Sequence, residues 1–355
     1  MNLPTTVVAA HAEIRPLPRN LRPEDLDMFA GCQRSEVPAA TIVSLDDVEA
    51  FGRGPLRHRK DYLDESFVSP SHAVRWKQER GHWRAAAERL IQSKTLFDTP
   101  CLWITDNWSS GYFHWMCDSI PRLEMASMVC DLSEMTLLLP YKFRGRRYIQ
   151  QSLAPYGLKD VRILKRFERA CCRRLTLPSH VASTGNFDQG IIGRMRNRFL
   201  RHLKQHADGN ESTSADRVYI SRRVATRRKI ANEDAVETLL KNHGFKIVVC
   251  EQMQWIDQLS AVTNAECLVS NHGAGLTNMI AMQPGRRVLE IRDAVGSTPN
   301  CYFNLAAACS LGYFYSFAHR TDPQQTVHHG DVTVDVSALD QAIHAMVGEN
   351  IGRHT

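Results

Sequence analysis

Beyond residue 100 the chain alternates short apolar runs with longer stretches whose apolar positions recur at helical spacing. Cys101 to Thr105 reads as a short strand closed by the turn-forming Asp106-Asn107. A helix is expected from about Tyr112 to Val129, kinked or restarted at Pro121. Strands follow at 136–139, 161–164 and 174–177, with a helix at 146–154 and a long basic helix at 188–206. A polar stretch at 207–214 has turn residues and no apolar anchor. After it the order is regular: strands at 217–220, 245–249, 267–270, 287–291 and 313–317 are separated by helices at 233–242, 253–262, 275–281 and 301–311. Asn232 is the expected N-cap of the first of these helices. Short apolar strands joined by helices predict an α/β fold with a parallel sheet covered on both faces. A strand at 332–336 and a helix at 337–346, with Ser337 and Asp340 spaced like a capping box, close the pattern. The first hundred residues, Pro- and Arg-rich at 15–23 and polar and basic at 52–59, show no sustained period. Irregular structure with a few short strands is expected there.

A chain of 355 residues exceeds one core. The pattern divides it into an N-terminal domain (1–207), a linker (208–214), a second domain (215–330) and a terminal strand and helix (331–355) free to cross back. With 43% hydrophobic and 23% charged residues, disordered, collagen-like and coiled-coil classes are excluded. No run approaches the ~18 apolar residues of a membrane span. Met1 to Ala12 has no basic leader, and its apolar run at 7–10 is too short for a signal peptide. A cytoplasmic protein is therefore expected. Ten cysteines contain no C-x-x-C pair and several sit in apolar runs, so reduced buried thiols are expected rather than zinc or disulfides.

Charge changes the picture. The net value is 44 − 38 = +6, yet 22 Lys and Arg face only 6 Asp and Glu between Lys142 and Lys229. That local excess calls for an anionic partner: a phosphate-bearing ligand, a nucleic acid or an acidic membrane surface.

Three constellations carry candidate chemistry. Ser270 to Asn278 follows a strand and opens a helix, which is where α/β sheets bind ligands. Gly273 and Gly275 let the backbone approach a ligand, and Ala274 leads into a helix N-terminus with free N–H groups for a phosphate. His272, Thr277 and Asn278 supply a polar flank to that diphosphate cradle. Glu290 interrupts the apolar strand at 287–291, so it needs a partner: two ribose hydroxyls, or a neighbour among Arg286, Arg287 and Arg292. Arg222 and Arg228 follow the first strand of this domain and are placed to hold a phosphate. In the first domain His114 and Asp118 stand at i and i+4, on one helical face. Aromatic neighbours would make such a pair tunable for removing a hydroxyl proton, or the pair simply stabilises the helix entry. The D-x-D at Asp25-Leu26-Asp27 has no preceding strand, so a divalent metal is not indicated.

The chain resembles glycosyltransferase family 61, which includes bacterial capsular and exopolysaccharide enzymes, plant β-1,2-xylosyltransferases and protein O-linked N-acetylglucosaminyltransferases. Three blocks carry the likeness: YFHWMCDSIPRL from Tyr112, YISRRVATRRKIANE from Tyr219 and NHGAGLTNMIAMQPGRRVLEI from Asn271. The resemblance implies a GT-B architecture, two Rossmann-like domains facing a central cleft, and an inverting transfer without a required cofactor. It implies that the nucleotide-sugar, UDP-linked by expectation, is held mainly by the C-terminal domain. His114 and Asp118 fall where the family keeps a His and an Asp four apart, and Arg222, Arg228, His272, Gly273, Gly275, Asn278 and Glu290 fall in its donor blocks. Many members carry an asparagine three before that histidine, where this chain has Gly111. The expected acceptor is a polysaccharide or lipid-linked glycan, reached by an enzyme that the basic run holds against anionic lipid. The alternatives are another nucleotide-sugar enzyme (an epimerase or hydrolase), a silent partner of a polysaccharide complex, and a nucleic-acid-binding protein. No recognised motif favours the last.

Overall fold

The computed structural model describes residues 3–79, 92–206, 216–294, 298–326 and 330–348. The expected linker at 208–214 lies outside the described residues. The chain divides into two compact units, one of residues 1–11 and 36–184, the other of residues 12–35 and 185–355.

The first unit is built on a nine-stranded mixed sheet. Its parallel part places Asp160–Ile163, Thr136–Leu139 and Cys101–Leu102 beside Glu168–Pro178. Ser93–Phe97 continues along the same edge of Glu168–Pro178, parallel to it. On its other edge Glu168–Pro178 pairs antiparallel with the twelve-residue strand Ala40–Phe51. The first hundred residues thus supply a central strand, where irregular structure was expected. Ala40, Ile42, Leu45, Val48 and Ala50 are buried, but the intervals of three from Ile42 to Leu45 and Leu45 to Val48 break the strand alternation, and Thr, Ser, Asp and Glu occupy most of the other positions. Because half of this sheet is antiparallel, the unit departs from a doubly wound fold. Its core gathers Leu45, Val48, Trp103, Leu138, Leu175 and Leu177.

The second unit has a six-stranded sheet. Counting from Arg217–Ile220, the spatial order is 2-1-3-4-5-6: Lys246–Val248, Arg217–Ile220, Cys267–Asn271, Arg287–Asp293, Gly312–Arg320 and Val332–Val334. The first five are parallel and the last antiparallel. This is a doubly wound α/β layer whose order reverses between Arg217–Ile220 and Cys267–Asn271, and the crevice at such a reversal is where ligands bind. Helices fall close to the expected spans: Gln189–Gln205, Glu233–Asn242, Trp255–Thr263 and Cys301–Ala308.

Two caps differ from expectation. Asn232 makes no cap bond; its side chain instead clamps Val334, donating to its carbonyl at 2.8 Å and accepting from its N–H at 3.0 Å. The last helix, Val336–Gly348, is capped by Asp335, which accepts from the N–H groups of Ser337 and Ala338. Residues 12–35, placed with the first domain on sequence, belong to the second unit. Phe29 is fully buried against the rings of Phe303 and Tyr315, with centroids at 5.2 Å for both. Burying that ring is worth roughly 1.5–3 kcal/mol. Asp25 of the D-x-D is taken up by Arg22 at 2.7 Å and by the hydroxyl of Tyr315, a structural use of that carboxylate. Likewise the helix Gln189–Gln205, given to the N-terminal domain on sequence, packs within the second unit, where Phe199 meets Trp255 edge-on at 5.1 Å.

Candidate active site

In the first unit the expected helix forms in three pieces: an α-turn at Tyr112–His114, a π-helical turn at Trp115–Ser119 and an α-helix at Ile120–Ala126. Pro121 has no N–H to continue the α ladder, and the N–H of Ile120 instead reaches back five residues to the carbonyl of Trp115. His114 and Asp118 bracket this wide turn. The Nδ1 of His114 lies 2.7 Å from Oδ2 of Asp118, which also accepts from the hydroxyl of Thr184 at 3.2 Å. The imidazole is 25% exposed and the carboxylate 3%. Burial pushes the Asp118 carboxyl above its ordinary range, and the hydrogen bond and charge of His114 offset only part of that. Trp108 and Phe113 flank the imidazole, each with ring centroids 5.2 Å away. The other aromatics of the motif face elsewhere: Trp115 donates to Ser152 in the core and Tyr112 stacks edge-on against Tyr148.

A second imidazole–carboxylate pair belongs to the same unit and escaped the sequence. His180 Nε2 lies 3.0 Å from Oδ2 of Asp106, whose Oδ1 accepts from the backbone of Trp108 and Ser109. Burial alone would raise Asp106, but His180, the buried cation of Arg122 and Ser109 together hold it well below the usual carboxylate range. These partners are 74 residues apart, so no spacing rule could join them.

In the second unit the expected donor residues meet at the reversal of strand order. His272 and Gly273 follow the strand Cys267–Asn271, and Arg222 and Arg228 follow Arg217–Ile220. Arg222 donates from Nε to the carbonyl of Arg228 at 3.1 Å and from Nη2 to that of Arg227 at 2.7 Å. Its guanidinium closes on Gly273: a Cβ there would stand 2.3 Å from Nη1. A Cβ on Gly275 would stand 2.8 Å from Cγ2 of Ile220. Both glycines are required by close approach. Arg228 has a left-handed backbone (φ 54°), and its buried Nε makes no hydrogen bond among the described residues. The short helix expected at 275–281 forms over Ala274–Ala281 as a 3₁₀-helix. Two of its polar residues turn inward: Asn278 donates to Gln258 at 3.3 Å, and the Thr277 hydroxyl is buried.

Glu290 differs most from expectation. It is fully buried, with one carboxylate oxygen bonded to Nδ1 of His272 and the other to the hydroxyl of Tyr313. Ribose hydroxyls cannot reach it in this structure. Burial alone would raise its pKa, but His272, Arg292 and the Tyr313 hydroxyl outweigh that and hold it below the ordinary glutamate value. His272 is lowered by burial despite the Glu290 charge. A neutral ring that donates from Nδ1 to a carboxylate leaves Nε2 as an acceptor. Arg228, Asn271, His272 and Thr298 line a cavity of about 10 Å³, room for one water.

The chain is 27% identical over 114 residues to an EGF domain-specific O-linked N-acetylglucosamine transferase of Drosophila melanogaster, covering 31% of this chain and 22% of that protein. It is 29% identical over 152 residues to the Mus musculus protein of the same name, covering 41% of this chain and 28% of that one. The likeness thus spans less than a third of either relative. The family model for Glycosyltransferase 61 matches residues 112–289, half of the chain, and takes in His114, Asp118, Arg222, Arg228 and the 272–278 loop. With that match laid over both clusters, the chain belongs to glycosyltransferase family 61 and is a glycosyltransferase.

Proposed function

We propose that this is an inverting GT-B transferase that moves a sugar from a UDP-linked donor to a hydroxyl of a polysaccharide or lipid-linked glycan. In this reading the first unit supplies the base and the second holds the donor. His114 is the base, oriented by Asp118, because its imidazole is a quarter exposed while the carboxylate is nearly sealed. Nε2 takes the acceptor proton, the acceptor oxygen forms its bond to the anomeric carbon, and the bond from that carbon to the diphosphate breaks. The departing charge falls to Arg228, Arg222 and the N–H groups that open Ala274–Ala281. Two arginines at that position make a divalent metal unnecessary in this mechanism. Glu290 serves the donor through His272, not by touching it.

The observation that carries the donor half is the Arg228 guanidinium beside His272 at the strand-order reversal, its buried Nε without a protein partner among the described residues. Calorimetry with UDP, GDP and CMP and their sugar conjugates tests it. Micromolar binding of one nucleotide, weakened in Arg228→Ala, is the expected result. Absence of binding to all of them would sink the donor site. A protein hydroxyl is the second acceptor reading, favoured by the names of the two relatives, and acceptor screening with glycans and folded EGF domains separates the two. The excess of basic residues between Lys142 and Lys229 is the reason for a peripheral position at an anionic cytoplasmic membrane face; its Arg173 and Arg174, with side chains 75% and 65% exposed, stand 3.7 and 3.9 Å from Asp98 and Asp46. Salt-sensitive sedimentation with phosphatidylglycerol vesicles is expected, and its absence would remove the membrane from the reading.

A further inference from the structure

Five tryptophans lie among the described residues. Trp103, Trp115 and Trp255 are buried and Trp76 is half-buried, whereas Trp108 is 44% exposed. The exposed indole is the one that stands beside the candidate base His114. Its placement is firmly held. The Trp108 N–H donates to Asp106 Oδ1 at 2.7 Å, and both the N–H and the hydroxyl of Ser109 donate to the same oxygen at 2.9 Å. Lys142 ties down the carbonyls of Asp106 and Asn107 at 3.1 and 2.7 Å. His72 meets the indole edge-on with centroids 4.9 Å apart, and His114 lies on another side at 5.2 Å.

We propose that Trp108 is the platform on which a pyranose ring of the acceptor stacks, bringing one of its hydroxyls to Nε2 of His114. This rests on the transferase reading above and deepens it by naming the acceptor subsite. The negative face of the indole attracts the weakly positive C–H bonds on the flat side of a pyranose, and a rigid aromatic loses little entropy in doing so. The turn keyed by Asp106 fixes the backbone that carries the ring, and His72 and His114 contact the ring itself, which lowers the ordering cost of stacking.

The test uses methyl pyranosides of glucose, galactose, mannose and N-acetylglucosamine as probes, read by saturation-transfer NMR on the full chain. Wild type should transfer saturation to the ring C–H protons of at least one glycoside. Trp108→Ala should bind it about tenfold more weakly, and Trp108→Phe should recover part of the loss. UDP calorimetry on the same variants separates the two claims, since the platform is no part of the donor site. Unchanged glycoside transfer in Trp108→Ala, or no transfer to any glycoside from a wild type that binds nucleotide, overturns the platform. Should Trp108→Ala fail to fold, equal glycoside binding by wild type and Trp108→Leu, which keeps the apolar bulk without the ring, overturns it as well.

Discussion

The candidate site of each unit holds a histidine against a carboxylate, and these two pairs, His114–Asp118 and His272–Glu290, are built to opposite ends. In the first unit Asp118 has His114 and Thr184 for partners, and burial prevails, pushing its carboxyl up. In the second unit Glu290 is more deeply buried, yet His272, Arg292 and Tyr313 together hold it ionised. The exposures run in parallel: 25% for the His114 side chain, 12% for His272. A pair whose carboxyl is easily protonated and whose imidazole is accessible suits the movement of a proton. A pair whose carboxylate is locked by three groups, the imidazole among them, suits the holding of a ring. The same pairing of imidazole and carboxylate thus serves two purposes, and the surrounding charge decides which.

The sharpest way to break that contrast is to remove each carboxylate's charge. Asp118→Asn should lower kcat by about 10²–10⁴ with nucleotide affinity unchanged, because only the proton transfer depends on it. Glu290→Gln should do the reverse, weakening UDP binding while leaving kcat at saturating donor within a few-fold. Steady-state kinetics beside calorimetry checks both. If Asp118→Asn lost nucleotide binding instead, the division of labour between the units would fail.

Arg228→Ala should weaken nucleotide binding about 10- to 100-fold, the range of a charge-assisted hydrogen bond to phosphate. Arg223→Ala is the control. That arginine lies one position from Arg222, but its guanidinium is spent on Asp234 at 2.7 Å and Glu237 at 3.1 Å. Its loss should leave nucleotide affinity within about twofold. Equal effects from the two would make the binding one of diffuse charge, not a site.

How much of this was legible follows the same division. His114–Asp118 is four residues long and could be read directly from helical spacing. The alternation of strands and helices after residue 215 gave the parallel sheet, since each buried parallel strand is a continuous apolar run. Its place in an apolar strand marks Glu290 as a carboxylate needing a partner, but its actual partners, His272 and Tyr313, stand 18 and 23 residues away. Of the neighbouring arginines, Arg292 acts through charge rather than by a bond. The strand Ala40–Phe51 was illegible because its polar residues follow sheet pairing across the whole unit rather than a local period. The His180–Asp106 pair was illegible for the same reason. Periodicity reports a face, and these features depend on which distant strand lies alongside.

Gly275→Ala tests packing at the donor loop. The new methyl would stand 2.8 Å from the Ile220 side chain, and overpacking of this kind costs about 1–3 kcal/mol. Denaturant unfolding should show that loss, and Ile220→Ala in the same chain should return part of it by removing the clashing atom. Additive losses in the double variant would mean the two residues do not press on each other.

The smallest expected effect is on pH. His272 titrates below its ordinary 6.5 and Glu290 below its ordinary 4.5, so the folded second unit favours the deprotonated form of each. A group with a depressed folded pKa contributes stability that is present above its unfolded value and is lost as pH falls through the folded one. Acidification from pH 7 should therefore cost stability first below 6.5, where the unfolded chain binds a proton at His272 that the folded one resists, and again below 4.5 at Glu290, and UDP binding should change over the upper range as His272 takes a proton on Nε2. His272→Gln should flatten the upper limb of the binding profile, and Tyr313→Phe, which removes one support of the carboxylate, should move the lower limb upward. A UDP-binding profile unchanged by His272→Gln would show that the imidazole is packed against the donor site without facing it, and would leave Arg228 and the loop backbone as the whole of the phosphate recognition.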